Sequence, residues 1–267
     1  MRRSGLAELL FWPALLAYGE AALAYAGVTR RPGRAGRLAT WGVRLGWLAQ
    51  TGLLAAQATS AERFPWTAWA GSLNLFVWLV VSAYLFWGCR SRFRLLGLAV
   101  MPPVVLLFLL AYAGGGTGDI GTSDYSTIFL TFHVGLVLVG FAGLTLAAAL
   151  AGFYLWQERR LKRHESGILR VPLPALVTLD TLTARTIGVS LPVLTLGIAA
   201  GLVRLAHDGG TVDALMAVTV AAWGVYGAYL ALRWSAGWHG RRAAYIAVSG
   251  LTLVLAVHFG LPLTHFS

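Results

Sequence analysis

Runs of about twenty apolar residues alternate along this chain with short polar stretches in which arginine recurs. A helix rises ~1.5 Å per residue and the hydrocarbon core of a bilayer is ~30 Å thick, so a run of that length spans it. Eight segments qualify, near residues 6–28, 38–58, 70–88, 95–113, 129–153, 186–205, 212–232 and 243–261. They are too long for strands. The pattern predicts an all-α polytopic membrane protein: one transmembrane helical domain over residues 1–267 with about eight spans. The first run follows Arg2 and Arg3 in the manner of a leader. Its length, the included Glu20 and the lack of a distinct small-residue cleavage site make it a first span instead.

The basic residues assign the sides. Arg30, Arg31, Arg34 and Arg37 follow the first span, and Arg90, Arg92 and Arg94 the third. Arg159, Arg160, Lys162, Arg163 and Arg170 follow the fifth, and Arg233, Arg241 and Arg242 the seventh; Arg2, Arg3 and Arg63 are exceptions. Positively charged loops stay in the cytoplasm, so both termini are expected outside. Composition agrees: 58% of the 267 residues are apolar and 12% charged, with a mean hydropathy of +0.70, against the roughly 25% charged residues of a soluble domain. The net charge of +11 sits in loops between spans, which is a topology signal and not a nucleic-acid footprint. The expected surroundings are a lipid bilayer, the cytoplasmic (plasma) membrane, and no nucleic acid. Cys89 is the only cysteine, which excludes an intramolecular disulfide, a CxxC pair and a CxxCH haem attachment.

Two stretches stand out as more than connectors. Residues 63–72 carry Trp66 and Trp69, and residues 176–185 alternate Leu176, Leu179 and Leu182 with polar positions; either segment is suited to lie flat in the interface. The glycine-rich residues 114–126 lack the strand and Lys-Ser/Thr of a phosphate-binding loop. Depth sorts the histidines: His164 and His239 fall in cytoplasmic loops, and His133, His207, His258 and His265 toward the outside. His133 opens the fifth span and His258 closes the eighth, at a similar expected depth. Two such imidazoles can ligate a haem iron; they serve equally as hydrogen-bonded packing residues, and both readings stay open. Glu20 and Arg44 are expected to pair between adjacent spans or to serve transport. The sequence holds no Ser-His-Asp set, HExxH motif or paired loop carboxylates, so enzymatic function is not expected.

Longer motifs resemble a known family. HVGLVLVGFAGLTLAAALAGFYLWQERRLK (133–162), LPALVTLDTLTARTIGVSLPVLTLGIAAG (173–201), AAWGVYGAYLALRWSAGWHGRRAAY (221–245) and AERFPWTAWAGSLNLFVW (61–78) are similar, in order and spacing, to segments of the CcsA/CcmC-like cytochrome c assembly superfamily. The resemblance implies haem, of type b, at an outward-facing site with His133 and His258 as iron ligands. The family's tryptophan-rich segment should fall near residues 207–216, where this chain reads HDGGTVDALM. A further histidine expected at position 231 is Ala231, and an acidic residue expected near the third span is Gly71. Those departures look most like the HemX-like branch, associated with haem synthesis and with control of glutamyl-tRNA reductase. The resemblance therefore implies a protein that binds or senses haem in haem and cytochrome c biogenesis. Its implied cytoplasmic partner is glutamyl-tRNA reductase or another cytochrome c assembly component, met through residues 157–170 and 176–185. The alternatives are a haem or small-molecule transporter and a structural subunit of a membrane assembly complex.

Overall fold

The computed structural model describes residues 4–28, 34–60, 69–88, 96–116, 127–163, 174–208 and 214–260. The described residues form eight helices: α1 (Ser4–Val28), α2 (Arg34–Ser60), α3 (Trp69–Gly88), α4 (Leu96–Ala113), α5 (Thr127–Lys162), α6 (Leu176–Asp208), α7 (Ala214–Ser235) and α8 (Arg241–Gly260). Among the described residues there is no strand. Among the described residues five stretches are long and apolar enough to cross a membrane: Leu9–Gly27, Leu96–Ala113, Thr131–Lys162, Leu176–His207 and Met216–Ser235. Ala70–Phe86 is a shorter apolar stretch in α3. At 27 residues α2 is ~40 Å long and also has the reach. Its hydropathy is diluted by Arg37, Arg44, Gln50 and Gln57, and the two glutamines are buried against protein. The chain is a multi-pass membrane protein.

The helices form two compact units, Met1–Leu138 with Glu165–Pro174 and Val139–His164 with Ala175–Ser267. In the first, α1 packs along α2 and against α4, while α3 packs on α4 and α2. α4 shows why one face turns inward: Leu96, Gly97, Val100, Met101, Val104, Phe108 and Ala111 recur at helical spacing and are buried. Its opposite face exposes Leu106 and Leu109, as a lipid-facing surface does. Glycines let the helices close up. A Cβ on Gly42 would stand 2.9 Å from the carbonyl oxygen of Ala17, and one on Gly46 2.6 Å from the Tyr18 ring. Small residues at helix contacts are the usual packing device where lipid removes the hydrophobic drive between helices.

In the second unit α7 packs on α8 and α6. α5 meets α6 where Gly140 faces Leu194 and Gly143 faces Ser190, and Gly250 of α8 receives the Tyr226 ring. Residues 176–185 are not a separate segment but the first turns of the long helix α6. No glycine or proline interrupts that stretch, Leu179 and Thr183 are buried, and Thr183 Oγ1 donates to the Leu179 carbonyl at 2.9 Å. Residues 61–68 and 117–126, with most of the tryptophan and glycine-rich segments read above, lie outside the described residues. On the basic-residue topology, Arg204 near the outer end of α6 is a further, exposed exception.

Candidate functional site

The site residues expected from sequence fall at the ends of α5 and α8. His133 lies in the second turn of α5, half-buried, with its ring stacked on Phe129 one turn earlier (centroids 5.6 Å apart, planes 5° from parallel). The i, i+4 spacing places both rings on one helix face. Around them the surface is apolar, with Ile128 73% and Phe132 65% exposed. An imidazole on an apolar wall is chemically suited to a flat hydrophobic macrocycle with a metal centre. His258 belongs to the last turn of α8, where the backbone is helical.

The other histidines are placed differently. His207, at the end of α6, is exposed. His239 is exposed in the turn between α7 and α8, its Nδ1 2.6 Å from the Gly237 carbonyl oxygen. His164 and His265 lie outside the described residues. Glu20 and Arg44 are both exposed on α1 and α2, and the Arg44 guanidinium stands 5.5 Å from the centre of the Trp41 ring. Among the described residues no three His, Cys, Asp or Glu side chains gather as a metal cage would require.

Two polar assemblies were not anticipated from sequence. In the first unit Gln50 accepts from Tyr18 Oη at 2.8 Å and donates through Nε2 to Asn74 Oδ1 at 2.9 Å and to the Asn74 carbonyl at 3.0 Å. Gln57 Nε2 donates to the Gly116 carbonyl at 3.0 Å, and Asn74 Nδ2 points at the same carbonyl from 3.3 Å. That carbonyl is fixed by the end of α4: left-handed Gly115 (φ 78°) reverses the chain, and Gly116 N–H bonds back to the Ala111 carbonyl at 2.7 Å. A side chain at Gly116 would collide with the Ala70 backbone. One signal was available: Gln50 and Gln57 stand two turns apart on one face of α2.

In the second unit Asp180 of α6 binds Arg233 of α7 through both oxygens, at 3.1 and 2.7 Å, and accepts the Gly240 backbone N–H at 2.9 Å. The carboxylate thus ties the start of α6 to the end of α7 and to the turn that begins α8. Gly240 adopts φ 65°, a conformation that glycine takes without a Cβ penalty.

Comparison with known proteins decides the family. The cytochrome c assembly protein family matches residues 66–265, which includes α3 to α8 and both candidate histidines. The chain belongs to the cytochrome c assembly protein family. Among relatives, the cytochrome c biogenesis protein CcsA of Microcystis aeruginosa (strain NIES-843 / IAM M-2473) is 27% identical over 97% of this chain and 90% of its own length. That of Gloeothece citriformis (strain PCC 7424) is 27% identical over 85% of this chain and 84% of its own, and that of Guillardia theta 26% over 74% and 73%. No solved structure matches. Within this family member, the family match covers Asp180, Arg233 and Gly240, whereas the first helix pair, α1 and α2, lies before it.

Proposed function

We propose that this cytochrome c assembly family protein binds haem, of type b, at the outer side of the cytoplasmic membrane through His133 and His258, and acts in haem and cytochrome c biogenesis as a binding protein and not an enzyme. The observation that carries the reading is His133 itself: half-buried in the outer turns of α5, parallel to Phe129 and flanked by exposed apolar side chains. When bound, haem would be held by the imidazoles of His133 and His258 and would supply an iron able to change oxidation state. The protein's part is to present an imidazole on an apolar wall, with Phe129 holding the plane of the His133 ring. His258 is the second ligand, because the basic-residue topology puts the end of α8 on the same side as the start of α5.

Residues 207–216, HDGGTVDALM, support a finer reading. They carry no tryptophan, which favours a HemX-like role in which haem is sensed and the signal passes to a cytoplasmic partner, glutamyl-tRNA reductase or another assembly component. Haem titration of the purified protein tests the site. His133→Ala and His258→Ala each lower haem occupancy, and His164→Ala and His239→Ala leave it unchanged. Equal occupancy in all four variants refutes the assignment.

A further inference from the structure

At the end of α5 and the start of α8 the second unit carries a basic and aromatic surface that neither the helix packing nor the haem reading uses. Arg159 Nη2 lies 3.5 Å from the Tyr245 hydroxyl, and Arg241 Nη2 donates to the same oxygen at 3.2 Å. Two guanidinium groups therefore converge on one exposed phenol. Like charges repel, and nothing in helix geometry obliges two arginines from different helices to meet there. Around them Arg160 stands over Trp156 at 4.7 Å, Arg242 over Trp238 at 5.8 Å, and Arg241 over the Tyr245 ring at 5.4 Å. The nearby carboxylates have their own cations: Glu158 is 2.7 Å from Lys162, and Asp180 is held by Arg233.

We propose that Arg159, Arg241 and Tyr245 form a site for the phosphate of an anionic phospholipid in the cytoplasmic leaflet. Guanidinium forks and a phenol hydroxyl are donors matched to phosphate oxygens, and an anion between the two arginines turns their repulsion into a shared attraction. The occupant is a lipid headgroup and not a free ion because of what surrounds it. Trp156, Trp238 and Tyr245 are the residue types that settle at the membrane–water boundary, and Leu161 near the end of α5 and Trp234 near the end of α7 are 41% and 77% exposed. The basic loops put this end of the bundle on the cytoplasmic side, where anionic lipids attract such clusters. The site is independent of His133 and His258.

The test uses the full-length protein, delipidated in detergent, with phosphatidylglycerol, phosphatidylcholine and inorganic phosphate added separately. Bound lipid is counted by native mass spectrometry and the unfolding temperature is followed. The expected result is retention of phosphatidylglycerol with a rise in unfolding temperature that phosphatidylcholine does not give. Arg159→Gln/Arg241→Gln weakens phosphatidylglycerol binding roughly fivefold per arginine removed. Tyr245→Phe weakens it less and keeps the ring. Arg37→Gln/Arg185→Gln, which removes the same charge from two exposed arginines on other helices, leaves it unchanged. Equal loss in the two double variants, no loss in either, or protection by inorganic phosphate equal to that of the lipid overturns the proposal. The unfolding temperature of each variant without lipid reports whether it is folded, and Tyr245→Phe decides the matter if the arginine variant is not.

Discussion

Tyr18, Gln50, Gln57 and Asn74 in the first unit are neutral and buried, and they join α1, α2, α3 and the end of α4 by hydrogen bonds. The second unit joins its helices differently, with an ion pair, Asp180 to Arg233, at the ends of α6 and α7. Position explains the choice. A charge at the bilayer centre costs at least ~2.5 kcal/mol even by the lowest scales, whereas an amide that finds its partners costs far less. An ion pair is tolerable near a helix end, where water reaches it: the Arg233 and Asp180 side chains keep 11% and 12% exposure. Gln50, at mid-helix in α2, is fully buried and uncharged.

If that contrast is right, single substitutions in the two regions differ in size. The largest effect belongs to Asp180→Ala, which strands a mostly buried guanidinium and releases the Gly240 N–H. Unfolding in mixed micelles should register a loss of about 3 kcal/mol, with Asp180→Ala/Arg233→Ala less damaging than the two singles combined. Gly140→Ala comes next. Its Cβ would stand 2.8 Å from Leu194 Cβ and 3.0 Å from the Leu194 backbone, so α5 and α6 must separate, at about 2 kcal/mol.

The amide network predicts smaller numbers. Asn74→Ala takes an acceptor from Gln50 Nε2 but leaves it the residue 74 carbonyl, so the expected loss is about 1.5 kcal/mol by the same unfolding measurement. Tyr18→Phe removes one donor to Gln50 and costs about 1 kcal/mol. An Asn74→Ala loss exceeding that of Asp180→Ala would break the comparison, because the neutral network would then bear more than the ionic clamp.

The apolar runs made the helices legible because a crossing of the bilayer needs about twenty apolar residues, and each of the eight expected spans lies inside a helix or begins and ends within a few residues of one. The sixth shows what that rule misses. Its expected start at residue 186 follows hydropathy, but α6 begins at Leu176 because Asp180 has a partner in Arg233 that no periodicity can announce. The Gln50 network was hidden for a related reason: a glutamine lowers hydropathy equally whether it faces water or Asn74. Family motifs brought Asp180 and Arg233 onto the page as residues, yet they lie 53 positions apart and only the fold pairs them. His133 was legible as a histidine near the start of a helix, and its parallel stack on Phe129 follows from the i, i+4 spacing.

The most direct test of the haem site is ligand replacement. His133→Gly is purified, reconstituted with haem, and its reduced spectrum recorded before and after adding imidazole. The account predicts that the sharp α-band of the parent protein is lost in the variant and returns with free imidazole in the vacated position. A variant that keeps an unaltered α-band without imidazole would mean that His133 is not an axial ligand and would contradict the account.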